Sequence, residues 1–263
     1  MDEEKSQLIE RVKNLREEIL ALVMEREDII LQKNPAIQAD YMVKVGAYEV
    51  KAAEEELSAR RAKRKLEMCQ AKINSGQEFV DEEIEDELDI ELEKWTVDLK
   101  EKQMQFYSLL DRRSNTNMLN LNDSKNLKSL YRKLCKRLHP DLNPLLSDEE
   151  RNLFTGVQKA YERGDVSTLK AYAWILNEDD AIDDESKDTE ELIAEVALLE
   201  AQLEVQKELL ESVKKSHPYN LIHKLEDVNW VFEKVQSYKA KAKEFHDARI
   251  TYEIKAKSLI AQD

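Results

Sequence analysis

The sequence predicts an all-α protein in which long antiparallel coiled-coil hairpins flank a small helical domain of different character. Three observations predict it. Of the 263 residues, 131 are Ala, Glu, Leu, Lys or Arg; glycine and proline occur four times each; and apolar residues recur at steps of three and four along most of the chain. That composition with that period belongs to long helices and coiled coils. It excludes a β sandwich, a glycine-rich dinucleotide-binding α/β enzyme and a proline-rich linker protein. Charged residues make up 37% of the chain, with 41 basic against 56 acidic and a formal charge of −15.

The first helix is predicted from Leu8, Val12, Leu15, Ile19, Leu22, Arg26 and Ile29, a heptad seam with β-branched Val12 and Ile19 at one core position and leucines at the other. Arg26 occupies a seam position and is expected to weaken the seam locally. The helix is expected to stop at Asn34-Pro35, because the residue before a proline is pushed out of helical geometry. A second helix follows through Ile37, Tyr41, Val45, Tyr48, Ala52, Ala59, Ala62, Leu66, Cys69 and Ile73, and Gly76 is suited to close it with a left-handed cap. A third runs through Ile84, Leu88, Leu92, Trp95, Leu99, Phe106 and Leu109. Short connections favour antiparallel neighbours, so residues 1–112 read as an antiparallel helical arm.

Asn, Ser and Thr break the heptads at 113–122, a linker. Residues 123–177 form a separate module of shorter helices. Between residues 122 and 176 there are 10 basic and 7 acidic side chains, so this stretch carries +3 and the remainder −18. Residues 178–190 are an acidic linker. Asp188 and Glu191 then have capping-box spacing and open a C-terminal hairpin over 191–263. Its first seam is Leu192, Val196, Leu199, Leu203, Gln206, Leu210 and Val213. After a turn at His217-Pro218 its second is Val228, Val231, Val235, Tyr238, Ala242, Phe245, Arg249, Tyr252, Ala256 and Leu259.

The module carries the one specific signal. Ser124 to Leu138 holds Lys125, Lys128, Arg132, Lys133, Lys136 and Arg137 and no acidic residue, while Leu127, Leu130, Tyr131, Leu134 and Leu138 keep helical spacing. One face therefore packs inward, and Lys125, Lys128, Arg132 and Lys136 form a cationic stripe on the opposite face. The helix must end near His139 because of Pro140, and the loop His139-Pro140-Asp141-Leu142-Asn143-Pro144 is pinned by two prolines. Ser147 and Glu150 form a capping box for a helix presenting Leu153, Phe154, Val157, Ala160 and Tyr161. Gly164 can end it, and Asp165 or Ser167 can start a short last helix.

A basic helix, a His-Pro-Asp loop and an antiparallel helix ending in Ala160-Tyr161 resemble the J-domain of DnaJ-type co-chaperones, over about a fifth of the chain. The resemblance implies docking of the basic helix and loop on the ATPase domain of a DnaK-type heat-shock chaperone, with stimulation of its ATP hydrolysis. Carried over by position, His139, Pro140 and Asp141 are the stimulating loop, and Lys125, Lys128, Arg132, Lys133, Lys136 and Arg137 the docking face. Three departures stand out. The family's first helix is not recognisable before Asp123, Leu142 stands where lysine is common, and the Gly/Phe-rich segment and zinc-binding cysteine repeats of DnaJ are missing.

The framing helices are then expected to set client, location or self-association, since heptads alone do not distinguish a hairpin from an oligomer. The chain is expected to be no enzyme and to need no cofactor: nothing in the sequence supplies a nucleophile or second carboxylate to His139 and Asp141. His217, His223 and His246 lack metal-ligand spacing, and Cys69 and Cys135 read as small buried hydrophobes. The net charge disfavours nucleic acid as a partner. The longest apolar runs are six residues, such as Ile19–Met24, too short to span a membrane, and the expected location is the cytoplasm. A structural scaffold with an inactive J-like module is the alternative.

Overall fold

The computed structural model describes residues 3–77, 80–115, 121–176 and 186–260. The protein is all-α: about 90% of it is helical, and the described residues include no strand. The chain divides into two compact units, Met1–Ile37 with Asn115–Leu221, and Gln38–Ser114 with Ile222–Asp263.

The N-terminal helix does not stop at Pro35. Helices α1 (Glu3–Asp28), α2 (Asn34–Tyr41) and α3 (Ala47–Asn74) follow one another without a break through two wide π-turns, Ile29–Lys33 and Met42–Gly46, making one run of 72 residues. The reason lies in the turn before the proline. A proline inside an α-helix clashes with the carbonyl four residues back and donates no hydrogen bond. Here the ladder has already widened: Asn34 N–H donates to Ile29 O, five residues back. The π-turn thus admits Pro35 where regular geometry would not. Gly76 closes α3 as expected, at φ 64°.

With no reversal at Pro35, the first seam cannot close on the second, and it takes a distant partner instead. In the first unit, α1 packs along α9 (Thr189–Lys215). Val12, Leu15, Ile19 and Val23 share a core with Leu192, Leu199 and Leu203. Arg11 pairs with Glu200, Arg16 with Glu195, Arg26 with Gln206 and Lys214 with Glu25. Partners stay 179 to 189 positions apart along both helices, so the pair is parallel and not the expected antiparallel one.

The same unit holds the module: α6 (Leu121–Leu138), α7 (Asp148–Glu162) and α8 (Val166–Ile175). Ser147 and Glu150 form the predicted capping box, with Glu150 N–H donating to Ser147 Oγ at 3.3 Å, and Asp165 caps α8 through Thr168 N–H at 2.9 Å. Leu127, Tyr131, Leu134, Leu138, Phe154, Val157, Ala160, Tyr161 and Leu169 build its core. Leu20 of α1 belongs to that core, with Met24 and Leu31 packed against it. The long helix therefore contributes to the packing of the module.

The second unit joins α3 to α4 (Asp81–Glu91), α5 (Glu93–Asn115), α10 (Ile222–Glu226) and α11 (Val228–Ile260). Residues 1–112 are therefore not one antiparallel arm; within this unit α4 returns antiparallel along α3, with Lys65 bound to Asp81 and Glu85, and Arg61 to Asp89. Lys102 of α5 reaches Glu49 at 3.0 Å. Met68, Cys69, Ile84, Leu88 and Leu92 form the core there. The C-terminal hairpin is replaced by a second parallel pairing, α11 on α3, with Lys239 over the Tyr48 ring and His246 and Arg249 beside Glu55. Its predicted seam is observed from Val231 to Leu259, but Val228, the first predicted position, is exposed. Of the linkers expected at 113–122 and 178–190, residues 116–120 and 178–185 lie outside the described residues, while 113–115, 121–122 and 189–190 are helical, in α5, α6 and α9.

Candidate functional site

The site is the turn between α6 and α7. His139 N–H closes α6 on Cys135 O, and Leu142 and Asn143 N–H both fold back on His139 O at 3.0 and 2.9 Å. Asn143 Nδ2 donates to Lys136 O, and Arg151 of α7 donates to the carbonyls of Pro144 and Leu146. Two prolines and these bonds fix the loop from both sides.

His139 is 3% exposed, and its ring meets Phe154 edge-on at 5.0 Å. Its Nδ1 accepts the Asp141 backbone N–H at 3.0 Å. The ring proton therefore sits on Nε2, 3.5 Å from Glu27 Oε1 on α1. Glu27 is itself buried and also accepts from Tyr131 Oη at 2.9 Å and Gln158 Nε2 at 3.0 Å. Burial pushes this carboxyl up, but the hydrogen bonds from His139, Gln158 and Tyr131 outweigh it and hold it below the ordinary carboxylate value. Tyr161, stacked on Tyr131 at 3.9 Å, donates to Asp28 at 3.0 Å. Burial pushes the Tyr131 phenol and the neighbouring Cys135 thiol up.

Asp141 is engaged on the other side of the loop. Arg26 of α1, 9% exposed, donates to Asp141 Oδ2 at 2.6 Å and to Gln206 Oε1 of α9 at 2.7 Å. Gln206 Nε2 reaches the same carboxylate at 3.3 Å, and Gln202 donates to the Asp141 carbonyl. Burial raises the Asp141 carboxyl, but the Arg26 hydrogen bond and charge outweigh it and hold it below its usual value. Leu142, the departure from lysine, packs against both the module core and the α1–α9 core.

The cationic stripe turns toward α1. Lys128 pairs with Asp28 at 3.2 Å, Lys136 with Glu17 at 3.6 Å, and Arg132 also with Glu17. Lys125 and Lys133 are exposed. Arg137 points elsewhere, donating to Leu176 O after α8. Four of the six basic residues, Lys125, Lys128, Lys133 and Lys136, are exposed; Lys128, Arg132 and Lys136 meet acidic groups of α1, and Arg137 holds the end of α8.

Sequence reasoning missed Glu27, Asp28, Glu17, Gln202 and the role of Arg26 and Gln206. A signal for the last two was present, since both are polar residues at seam positions. Among the described residues, no three His, Cys, Asp or Glu side chains converge as a metal site, and no helix is long and apolar enough to cross a membrane. No family model matches the chain, and no curated protein or solved structure is significantly similar to it.

Proposed function

We propose that the chain is a J-domain-type co-chaperone acting on a DnaK-type heat-shock chaperone, with the chemistry belonging to the partner. One observation carries the reading: a rigid His139-Pro140-Asp141 turn sits at the apex of an antiparallel helix pair whose first helix is cationic. Such a helix steers toward an acidic surface, and such a turn offers one fixed carboxylate for a charge-assisted hydrogen bond. The cytoplasm and client or targeting contacts through the framing helices belong to the same reading. The seams of α1 with α9 and α3 with α11 close within one chain, which makes self-association unnecessary for burying them.

The test is single-turnover ATP hydrolysis by a DnaK-type chaperone with excess full-length chain. Stimulation of any size that vanishes with His139→Gln supports the reading; equal rates with both chains that persist when the Arg26 and Gln206 contacts to Asp141 are removed overturn it. A second reading, a scaffold with an inactive module, draws on the burial of His139 and the internal pairing of Asp141. It predicts no stimulation even when those contacts are removed. Binding to duplex or single-stranded nucleic acid that weakens steeply with salt would point instead to a phosphate-binding stripe.

A further inference from the structure

We propose that α1 and α9 hold the His139-Pro140-Asp141 loop closed, so that the chain regulates its own docking surface by an internal competitor. The proposal rests on the co-chaperone reading and names the regulation of that same site. The loop and part of the basic helix already meet the chain itself. The Asp141 carboxylate is taken by Arg26 and Gln206, and its carbonyl by Gln202. His139 is buried against Glu27, and Leu142 packs, partly buried, against the α1–α9 core. Three of the stripe's cations face Glu17 and Asp28. The occupant thus presents the chemistry expected of the partner, acidic groups to the basic helix and a hydrogen-bond donor to the loop carboxylate.

The contacts span two helices far apart in sequence, so the closed state requires α1 and α9 to be paired. Arg26 is the junction, because one guanidinium bonds both Gln206 across the seam and Asp141 in the loop. Freeing the loop therefore means breaking an ion pair on the seam and withdrawing Leu142. A ligand or surface that separates the α1–α9 pair would release the loop by the same act.

The test uses the full-length chain in three forms: wild type, Arg26→Leu/Gln206→Leu, and that variant with His139→Gln. Leucine suits both seam positions, so the pairing of α1 with α9 is retained while the donors to the Asp141 carboxylate are lost; a thermal melt followed by circular dichroism verifies folding. Glu17→Lys is an independent second variant at a half-exposed position, releasing Arg132 and Lys136 without touching the seam. Two quantities are read: stimulated ATP hydrolysis at sub-saturating chain, and amide hydrogen exchange over residues 139–143. The expected result is faster exchange and at least about fivefold greater stimulation with the opened variant, abolished by His139→Gln, with a smaller gain from Glu17→Lys. Equal stimulation by wild type and opened variant, still abolished by His139→Gln, overturns the closed state and leaves the co-chaperone reading standing. Absence of stimulation from every form, although exchange shows the loop freed, overturns the co-chaperone reading and this proposal with it.

Discussion

The α1–α9 pair and the α3–α11 pair are both parallel two-helix seams, yet they are built from different material. The first is leucine- and valine-rich and almost wholly sealed: Val12, Leu15, Val23 and Leu192 have no exposed surface. The second relies on α3 alanines and half-buried Val231, Val235, Tyr238, Phe245 and Tyr252, with only Ala256 of α11 fully buried. The sealed seam holds a buried charged residue, Arg26, where the other seam holds the less buried Arg249. A buried guanidinium is tolerated only when every donor has somewhere to go, and here the module provides the place. The difference teaches that the dry seam serves as a mount for the loop, whereas the wetter one is held by surface pairs and small side chains.

The contrast breaks first on packing. Leu15→Ala is expected to cost about 3 kcal/mol, a core cavity with little room to relax, and Val235→Ala less than about 1 kcal/mol. Urea unfolding of both variants checks it; equal losses would mean the seams are equivalent.

Arg26 sharpens it next. Arg26→Ala strands Asp141 and Gln206 and is expected to lower stability by about 3 kcal/mol, while Arg26→Leu strands the same groups but fills the seam position and is expected to cost less. Chemical denaturation of the two variants side by side decides, and a leucine variant as unstable as the alanine one would show that Arg26 is needed for the fold itself.

Acid should act on the first unit in a defined direction. Glu27 and Asp141 are both held below their ordinary values of 4.5 and 3.8. The unfolded chain therefore binds more protons than the folded one in this range, and their contribution is complete above about pH 4.5 and lost as pH falls below it. Midpoints of unfolding measured at descending pH should fall more steeply for wild type than for Glu27→Gln. The smallest effect belongs to the second unit: Lys65→Met removes partners from Asp81 and Glu85 at the surface and should cost under about 1 kcal/mol, erased by salt.

Much of this was legible. Heptads marked the buried stripes, down to Gln206, and the spacing of Ser147 with Glu150 and Asp188 with Glu191 marked two helix starts that the structure caps as expected. Partner choice was not legible, because a heptad states which face is buried and not against what. Pro35 misled for a physical reason: the rule that a proline ends a helix assumes four-residue bonding, and the five-residue bond from Asn34 to Ile29 relaxes it. Glu27 was invisible because a carboxylate inside a long acidic helix looks like solvated surface, and only three-dimensional proximity to Tyr131, Gln158 and His139 makes it a buried acceptor. Arg26 and Gln206 were each visible as polar seam residues, but joining them required the parallel register.

The two cysteines have a practical consequence. Cys69 lies in the core of the second unit and Cys135 in that of the first, each with no exposed surface and a thiol pushed up by burial. Neither can react with a thiol reagent until its own surroundings open. The chain thus carries one intrinsic chemical clock per unit, and the ratio of the two labelling rates reads which half breathes more often, with no substitution introduced.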